Sequence, residues 1–475
     1  MRHRGEATLR SRGGSKGTQS ASRRGAVACA YVAAALILGG GGSPAPTNEI
    51  IVQLCFAAAA TVWIWLPADG GAHARVPRRL LWLGLAILAL PLMQLVPLPP
   101  DVWQALPGRN LETRALALIG DEASWRPLSI SAPATLAAFL SMVPAVGAMW
   151  GAASLDQHDR RALLLTIAAV TLAGALLGVL QLAGGPDSFQ VYEKSHRGWL
   201  TAFHANRNAA ADALLIGSLA LSAWVATAPV GHDAARQRGL FAALLLGLLS
   251  LAVMLTGSRT GIALLLPVMA ANGWLLAGGR RARLSRKTLG YAALLAIAAL
   301  AAGLALFDNT RLAAALARFD LAGDARIALW HDAVTAMQAW FPAGSGLGTF
   351  VNAFLPFEQV AALDPFFPNR AHNDYLEFLI EAGALGLLYL AAGAAVLGSL
   401  AWQGWRGGDP SRGMPIFANG TLLIIALHAV VDYPLRNMAI ACLAGVAAGW
   451  LGAARGSRGS QRNTERSGWA AGRTA

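Results

Sequence analysis

The chain has 475 residues, 55% of them hydrophobic and only 13% charged, with a mean hydropathy of +0.48. Soluble domains carry roughly 25% charged residues, so a water-soluble helical bundle, which needs a charged face on every helix, is excluded. The net charge of +13 is divided into short clusters between apolar runs. That is how orientation signals are arranged, whereas nucleic-acid binding needs a continuous basic face, so no nucleic-acid partner is expected.

Residues 1–24 are expected to form a disordered basic tail on the cytoplasmic side, 25–453 a single transmembrane domain and 454–475 a second basic cytoplasmic tail. The apolar run Ala26–Leu38 has the look of a signal peptide, but it leads into GGGGSPAP without a small-x-small cleavage site. An uncleaved first helix is therefore expected. A span needs roughly 20 apolar residues, and such stretches recur at 25–40, 50–67, 80–98, 134–152, 162–183, 208–229, 239–256, 260–278, 288–307, 375–402, 416–433 and 437–453. The fold class predicted is an all-α polytopic membrane protein of about 12 transmembrane helices.

With the N-terminus inside, cytoplasmic segments hold 26 of the 38 basic residues and the other side 12, although the outer connections are far longer. The positive-inside rule then places both termini in the cytoplasm. The outer connections 99–133, 184–207 and 308–374 are long, and a connection of the last length in a compact domain is usually functional. Within this large periplasmic loop, Arg311–Leu321 and Asp324–Trp340 have helical apolar spacing and are expected to form short helices. Cys29, Cys55 and Cys442 lie in apolar runs without metal-ligand spacing, so neither a disulfide framework nor a metal site is expected.

This topology puts four polar constellations on the outer side. The first is RGWLTAFHANRNAAADALL, which brings Arg197, His204, Asn206, Arg207 and Asn208 to the mouth of the sixth span. Either Asn206 or Asn208 can serve simply as a helix cap. The second is TGSRTG, where Arg259 is the sole charge between Arg238 and Arg280. An arginine at a helix end can reach headgroup phosphates, but ionisable groups at this depth more often mark a site. The third is PNRAHNDYLEFLIEAGALGLLYL, where Arg370, His372, Asn373 and Asp374 enter a span. There Glu377 and Glu381 follow at i, i+4 on a face expected to point into protein, and Gly383 and Gly386 permit close helix packing. The fourth is HAVVDYPLR, where His428 and Asp432 at i, i+4 read as a buried pair and Pro434 as the end of the helix.

HNDYLEFLIEAGALGLLYL resembles the signature of the O-antigen ligase and polymerase superfamily of bacterial membrane glycosyltransferases. Four other segments agree in order and spacing: GWLTAFHANRNAAA, GSRTGIALLL, WFPAGSGLGTF and HAVVDYPL, over roughly residues 195–437. The resemblance implies an inner-membrane enzyme that takes a glycan from undecaprenyl diphosphate on the periplasmic face. It would deliver that glycan to an acceptor hydroxyl on lipid A core or a growing glycan, without nucleotide sugar, cofactor or metal. Position by position, Arg259 matches the family's arginine after the seventh span, Arg370 and His372 its arginine and histidine at the end of the long loop, and Asn208 its asparagine before a small-residue run.

Elementary chemistry is consistent with those roles. A diphosphate leaving group develops negative charge, and guanidinium forks bind phosphate oxygens bidentately. Arg259, Arg370, Arg197 and Arg326 are the candidates for that task, with Asn208, Asn373 and Glu377 as further substrate contacts. An attacking hydroxyl needs a proton acceptor, for which imidazole is the usual group; His372 is assigned that role together with Arg259 as the catalytic pair. Two alternatives stand beside this reading. One is a protein O-oligosaccharyltransferase of the same superfamily. The other is a transporter of polysaccharide or lipid-linked glycan, which would place ionisable groups such as Asp212 near the bilayer midplane.

Overall fold

The structure is a computed structural model that describes residues 22–42, 46–66, 76–228, 232–277, 326–359, 368–406 and 412–452. Numbering the described helices in chain order gives α1 (Arg23–Leu38), α2 (Pro46–Trp65), α3 (Arg78–Gln94), α4 (Pro100–Gln104), α5 (Asn110–Ala117), α6 (Ala132–Ser154), α7 (Gln157–Ala183) and α8 (Arg207–Ala226). They continue with α9 (His232–Leu255), α10 (Arg259–Leu276), α11 (Arg326–Trp340), α12 (Phe350–Phe354), α13 (Asp374–Arg406), α14 (Gly413–His428) and α15 (Met438–Gly452). Among the described residues the only sheet is a two-residue antiparallel pairing of Pro97–Leu98 with Arg126–Pro127.

Seven of these helices, α2, α6–α10 and α13, are long and apolar enough to cross a membrane, and α14 and α15 are shorter apolar helices. A described helix overlies every stretch singled out by hydropathy except 288–307. That stretch and the expected helix Arg311–Leu321 lie outside the described residues. The expected helix at Asp324–Trp340 is present as α11. The 416–433 stretch needs correcting: α14 ends at His428, six residues before Pro434, and the chain then turns through a short 3₁₀ segment, Pro434–Arg436.

α8 lies at the centre, with 83% of its apolar window buried, in contact with α7, α9, α10 and α14. Its run of alanines, serines and a glycine lets neighbours approach on all sides, the usual solution where lipid removes any hydrophobic drive between helices. The closest packing joins α6 and α15. A Cβ at Gly445 would sit 2.2 Å from the Ala145 carbonyl oxygen and one at Gly449 2.4 Å from that of Met149, so the four-residue spacing of these glycines sets the crossing.

Backbone hydrogen bonds tie the loops into one end of the bundle. Ala205 N donates to Gly40 O, Ala439 N to Gly39 O, Leu200 N to Leu255 O and Ile130 N to Ser345 O, all at 2.9–3.2 Å. At the opposite end Asp159, buried near the start of α7, accepts from Ser22 N and Ser22 Oγ at 2.9 and 2.5 Å and so fastens the start of α1. The polar constellations all fall at the first end.

α13 is broken at Gly383 (φ 56°, ψ −138°), a conformation that only glycine adopts readily. The break exposes carbonyls that the segment 340–350 uses. Ser345 N donates to Ile380 O, Gly346 N to Glu381 O and Ala384 N to Pro342 O, at 2.9–3.0 Å. A Cβ at Gly383 would lie 2.2 Å from Pro342 O. Gly383 therefore admits a loop backbone, where the sequence suggested a neighbouring helix. Beside it, Ala333, Ala336, Trp340, Phe350, Phe354, Ala371 and Ile380 form a small core that seats α11 and α12 on the start of α13. Trp330 Nε1 donates to Ala371 O at 2.9 Å and thereby fixes the residue before His372.

Candidate active site

The end of the bundle assembled in this way holds two joined polar clusters. The first surrounds His372, which has φ 50°, a left-handed conformation uncommon outside glycine. Its Nδ1 lies 3.1 Å from Asp432 Oδ1, and its side chain is 30% exposed while that of Asp432 is 4% exposed. The other carboxylate oxygen of Asp432 accepts from Asn208 Nδ2 at 2.7 Å and Asn206 Nδ2 at 3.3 Å. Burial would push Asp432 up, but hydrogen bonds from His372 and Asn208 and the nearby His372 and His428 rings outweigh it and bring its pKa down to about 2. A carboxylate so firmly ionised accepts the Nδ1–H of His372, which leaves Nε2 as the basic nitrogen. The ring of Tyr433 meets that of His372 edge-on at 4.9 Å between centroids.

The two asparagines divide the roles that the sequence left open between them. Asn206 caps α8, its side chain accepting from Asn208 N at 2.8 Å, while Asn208 is committed to Asp432. Asn373 caps α13 by accepting from Leu376 N at 3.0 Å.

The second cluster is ionic. Glu377 and Glu381 are fully buried on the inward face of α13. Glu377 accepts from Arg370 Nη1 at 2.8 Å and from Ala371 N at 3.0 Å. Arg436, on the short turn after α14, reaches Glu381 at 2.6 Å, Glu377 at 3.1 Å and Asp374 at 3.7 Å. Asp374 in turn accepts from Leu435 N at 3.1 Å, and its own N–H donates to Ala429 O at 2.9 Å. Three carboxylates and two guanidiniums thus lock the entry of α13 to the 429–437 turn, and the turn carries Asp432. Ion pairs this deep stand or fall by complete partnering, since each buried charge costs several kcal/mol unless compensated.

His428 and Asp432 do not pair with one another, contrary to their i, i+4 spacing. The helix ends between them, so the two side chains diverge. His428 Nδ1 lies 2.7 Å from Asp212 Oδ1 on α8, both residues being about 1% exposed, whereas Asp432 turns to His372.

The remaining candidates are more dispersed. Arg259 is the first residue of α10, just after Ser258, whose side chain caps the helix by accepting from Gly261 N at 3.2 Å. The adjoining Gly257 packs on Trp199, whose ring also carries the Arg207 guanidinium at 5.0 Å. Arg326 opens α11 within electrostatic reach of His428. Arg197 lies apart on an exposed part of the 184–206 connection, where it pairs with Asp187 and donates to Glu193 O. Sequence reasoning gave Arg436, the last residue of HAVVDYPLR, no role. The signal that could have marked it is the clustering of three carboxylates at 374, 377 and 381 with Arg370 alone nearby in sequence.

His204, in the same connection, is buried, and its Nδ1 has no hydrogen-bond partner among the described residues. Burial brings its pKa down from 6.5 to about 4. The folded state therefore favours neutral His204, and stability present above pH 6.5 should be lost as pH falls from about 6.5 to about 4, then level off. The loss amounts to about 3 kcal/mol. Thermal unfolding in detergent at pH 7, 5.5 and 4 measures it, and a His204→Gln variant should show a shallower decline; an equal decline in both would refute this assignment.

Residues 242–391, about a third of the chain, match a family model described as O-antigen ligase. This supports membership of the O-antigen ligase and polymerase superfamily. The matched segment contains Arg259, Arg326, Arg370, His372, Asn373 and Glu377; Asn208, Asp432 and Arg436, which complete the two clusters, lie outside it. No curated protein matches the chain.

Proposed function

We propose that the chain transfers a glycan from undecaprenyl diphosphate to an acceptor hydroxyl at the periplasmic face of the inner membrane, as an O-antigen ligase or as an O-antigen or exopolysaccharide polymerase. The observation that carries this reading is the His372–Asp432 pair. It joins a half-buried imidazole with its basic nitrogen turned away from the carboxylate to an anion held by two asparagines. That arrangement fits a proton acceptor for an attacking hydroxyl.

In the proposed step the acceptor oxygen forms a bond to the anomeric carbon, the bond from that carbon to the diphosphate breaks, and His372 Nε2 takes the hydroxyl proton. The departing diphosphate keeps the electron pair, and its charge is met by Arg259 and by the part of Arg370 not bonded to Glu377. Glu377 has three protein partners and no exposure, so its role here is to aim Arg370 rather than to touch substrate. Asn373 likewise orients the helix start. Asn208 acts by holding Asp432, Arg326 forms the margin met by the glycan, and Arg197, paired locally with Asp187, is left out of the proposed site. Both tails face the cytoplasm in this arrangement.

Deletion of the gene followed by analysis of surface and lipid-linked glycan tests the reading. Free lipid A core together with long undecaprenyl-linked chains identifies a ligase, and single-repeat glycan a polymerase. Surface glycan of normal amount and length, with no lipid-linked intermediate accumulating, would refute both.

A further inference from the structure

A groove lies on the opposite side of α8 from this chemistry. Between α7, α8 and α9 is an apolar cavity of about 560 Å³, lined by Leu172, Leu176, Leu221, Leu245 and Leu248 among others and bounded at one end by Arg238. From Arg238 to Leu255 the lining follows 17 residues of α9, roughly 26 Å at 1.5 Å per residue. That is close to the depth of a bilayer's hydrocarbon core. Leu176 and Leu248 are 67% and 51% exposed, so the groove opens sideways toward lipid.

Its mouth, at the end remote from His372, is cationic. Arg161 lies one helical turn before the lining residue Leu165 on the same face of α7. Its Nη1 is buried and makes no hydrogen bond among the described residues. Its guanidinium lies within electrostatic reach of another cation, Arg238. Trp224, at the same end of α8, also lines the groove, at the level where tryptophan favours the headgroup region. Two guanidiniums within electrostatic reach of each other, one of them with an unused buried donor, at the mouth of an apolar slot of this length, call for an anion attached to a hydrocarbon chain. Orientation signalling alone explains the charges but not the buried donor of Arg161 that makes no hydrogen bond among the described residues.

We infer that this groove is a binding site for one anionic phospholipid. Its phosphate lies between Arg161 and Arg238, and an acyl chain runs along α7 and α9. The site is independent of the proposed transfer reaction, because its headgroup end and the His372 cluster lie at opposite ends of the bundle. Volumes of this size suit small-molecule sites, and phosphate recognition by a guanidinium pair is strong and oriented.

The test is native mass spectrometry of the full chain released from a mild detergent, with thermal unfolding in nanodiscs of phosphatidylglycerol or phosphatidylcholine alongside. The wild-type chain should retain one phosphatidylglycerol or cardiolipin and unfold at higher temperature in phosphatidylglycerol. The Arg161→Gln, Arg238→Gln pair should lose at least tenfold of that retention and the difference between the two nanodiscs. Ala169→Trp, which fills an exposed part of the lining with the charges intact, should do the same. Arg161→Lys with Arg238→Lys keeps the orientation signal and should restore part of the retention. The inference fails if wild-type protein carries no phospholipid or a zwitterionic one, if the bound mass is a polyprenyl phosphate, or if the glutamine pair retains lipid as wild type does.

Discussion

Replacement of His372 by alanine is expected to lower glycan transfer in membranes by roughly 10²–10⁴-fold, the usual worth of a positioned acid–base group, with normal protein level. The expectation rests on more than residue type. His372 sits at φ 50°, which costs about 1–3 kcal/mol for a side chain of this kind. It is kept there by Asp432 on one side and by Trp330, through Ala371 O, on the other. Such strain at a half-exposed imidazole is what a site under functional constraint would tolerate. The Asp432→Asn variant separates orientation from basicity. An amide can donate to Nδ1, and the ring would then carry its proton on Nε2, where it could no longer accept one. Transfer should fall substantially while the fold is retained. Near-normal transfer by the alanine variant would remove His372 from the mechanism altogether, whatever the asparagine variant does.

The second large effect concerns stability. Arg436→Gln should destabilise the protein by about 3–5 kcal/mol, the measured scale for breaking a buried ion pair from one side. Glu377 and Glu381 are both fully buried, and after the substitution Arg370, paired with Glu377, would be the only counter-charge left among the described residues for three carboxylates. With native stabilities of about 5–15 kcal/mol, such a loss should show as reduced accumulation in the membrane and a large fall in unfolding temperature. Adding Glu381→Gln removes the most closely paired carboxylate and should recover part of the loss, since residues in one ionic network are not additive. A loss below about 1 kcal/mol for Arg436→Gln would mean that water or lipid headgroups already neutralise the cluster.

Helix positions were legible because lipid imposes length and apolarity on each span, and α1–α3, α6–α10 and α13–α15 fall on stretches that hydropathy marks. The polar ends were legible as candidates, but their pairings were not. A sequence shows neighbours at i, i+4, and that rule joined His428 to Asp432. In the fold α14 stops at His428, and the partners come from residues 216 and 60 positions away, Asp212 and His372. Arg436 was hidden for the same reason. Its carboxylates are on another helix, 55 to 62 residues back. The exposed, locally paired Arg197 shows the converse: a charge beside a motif need not join the site it borders.

The interruption of α13 at Gly383 has a mechanical consequence. Residues 384–406 run through the apolar layer and must tilt as bilayer thickness changes, because a span accommodates hydrophobic mismatch largely by tilting. In an unbroken helix that tilt would sweep the N-terminal end of α13 through an arc and shift every group mounted on it. Here the first nine residues, 374–382, are tied to the backbone of 342–346 and to Arg436 instead of continuing the hydrogen-bond ladder. Bending is absorbed at the joint, so the array around His372 keeps its spacing in membranes of different thickness.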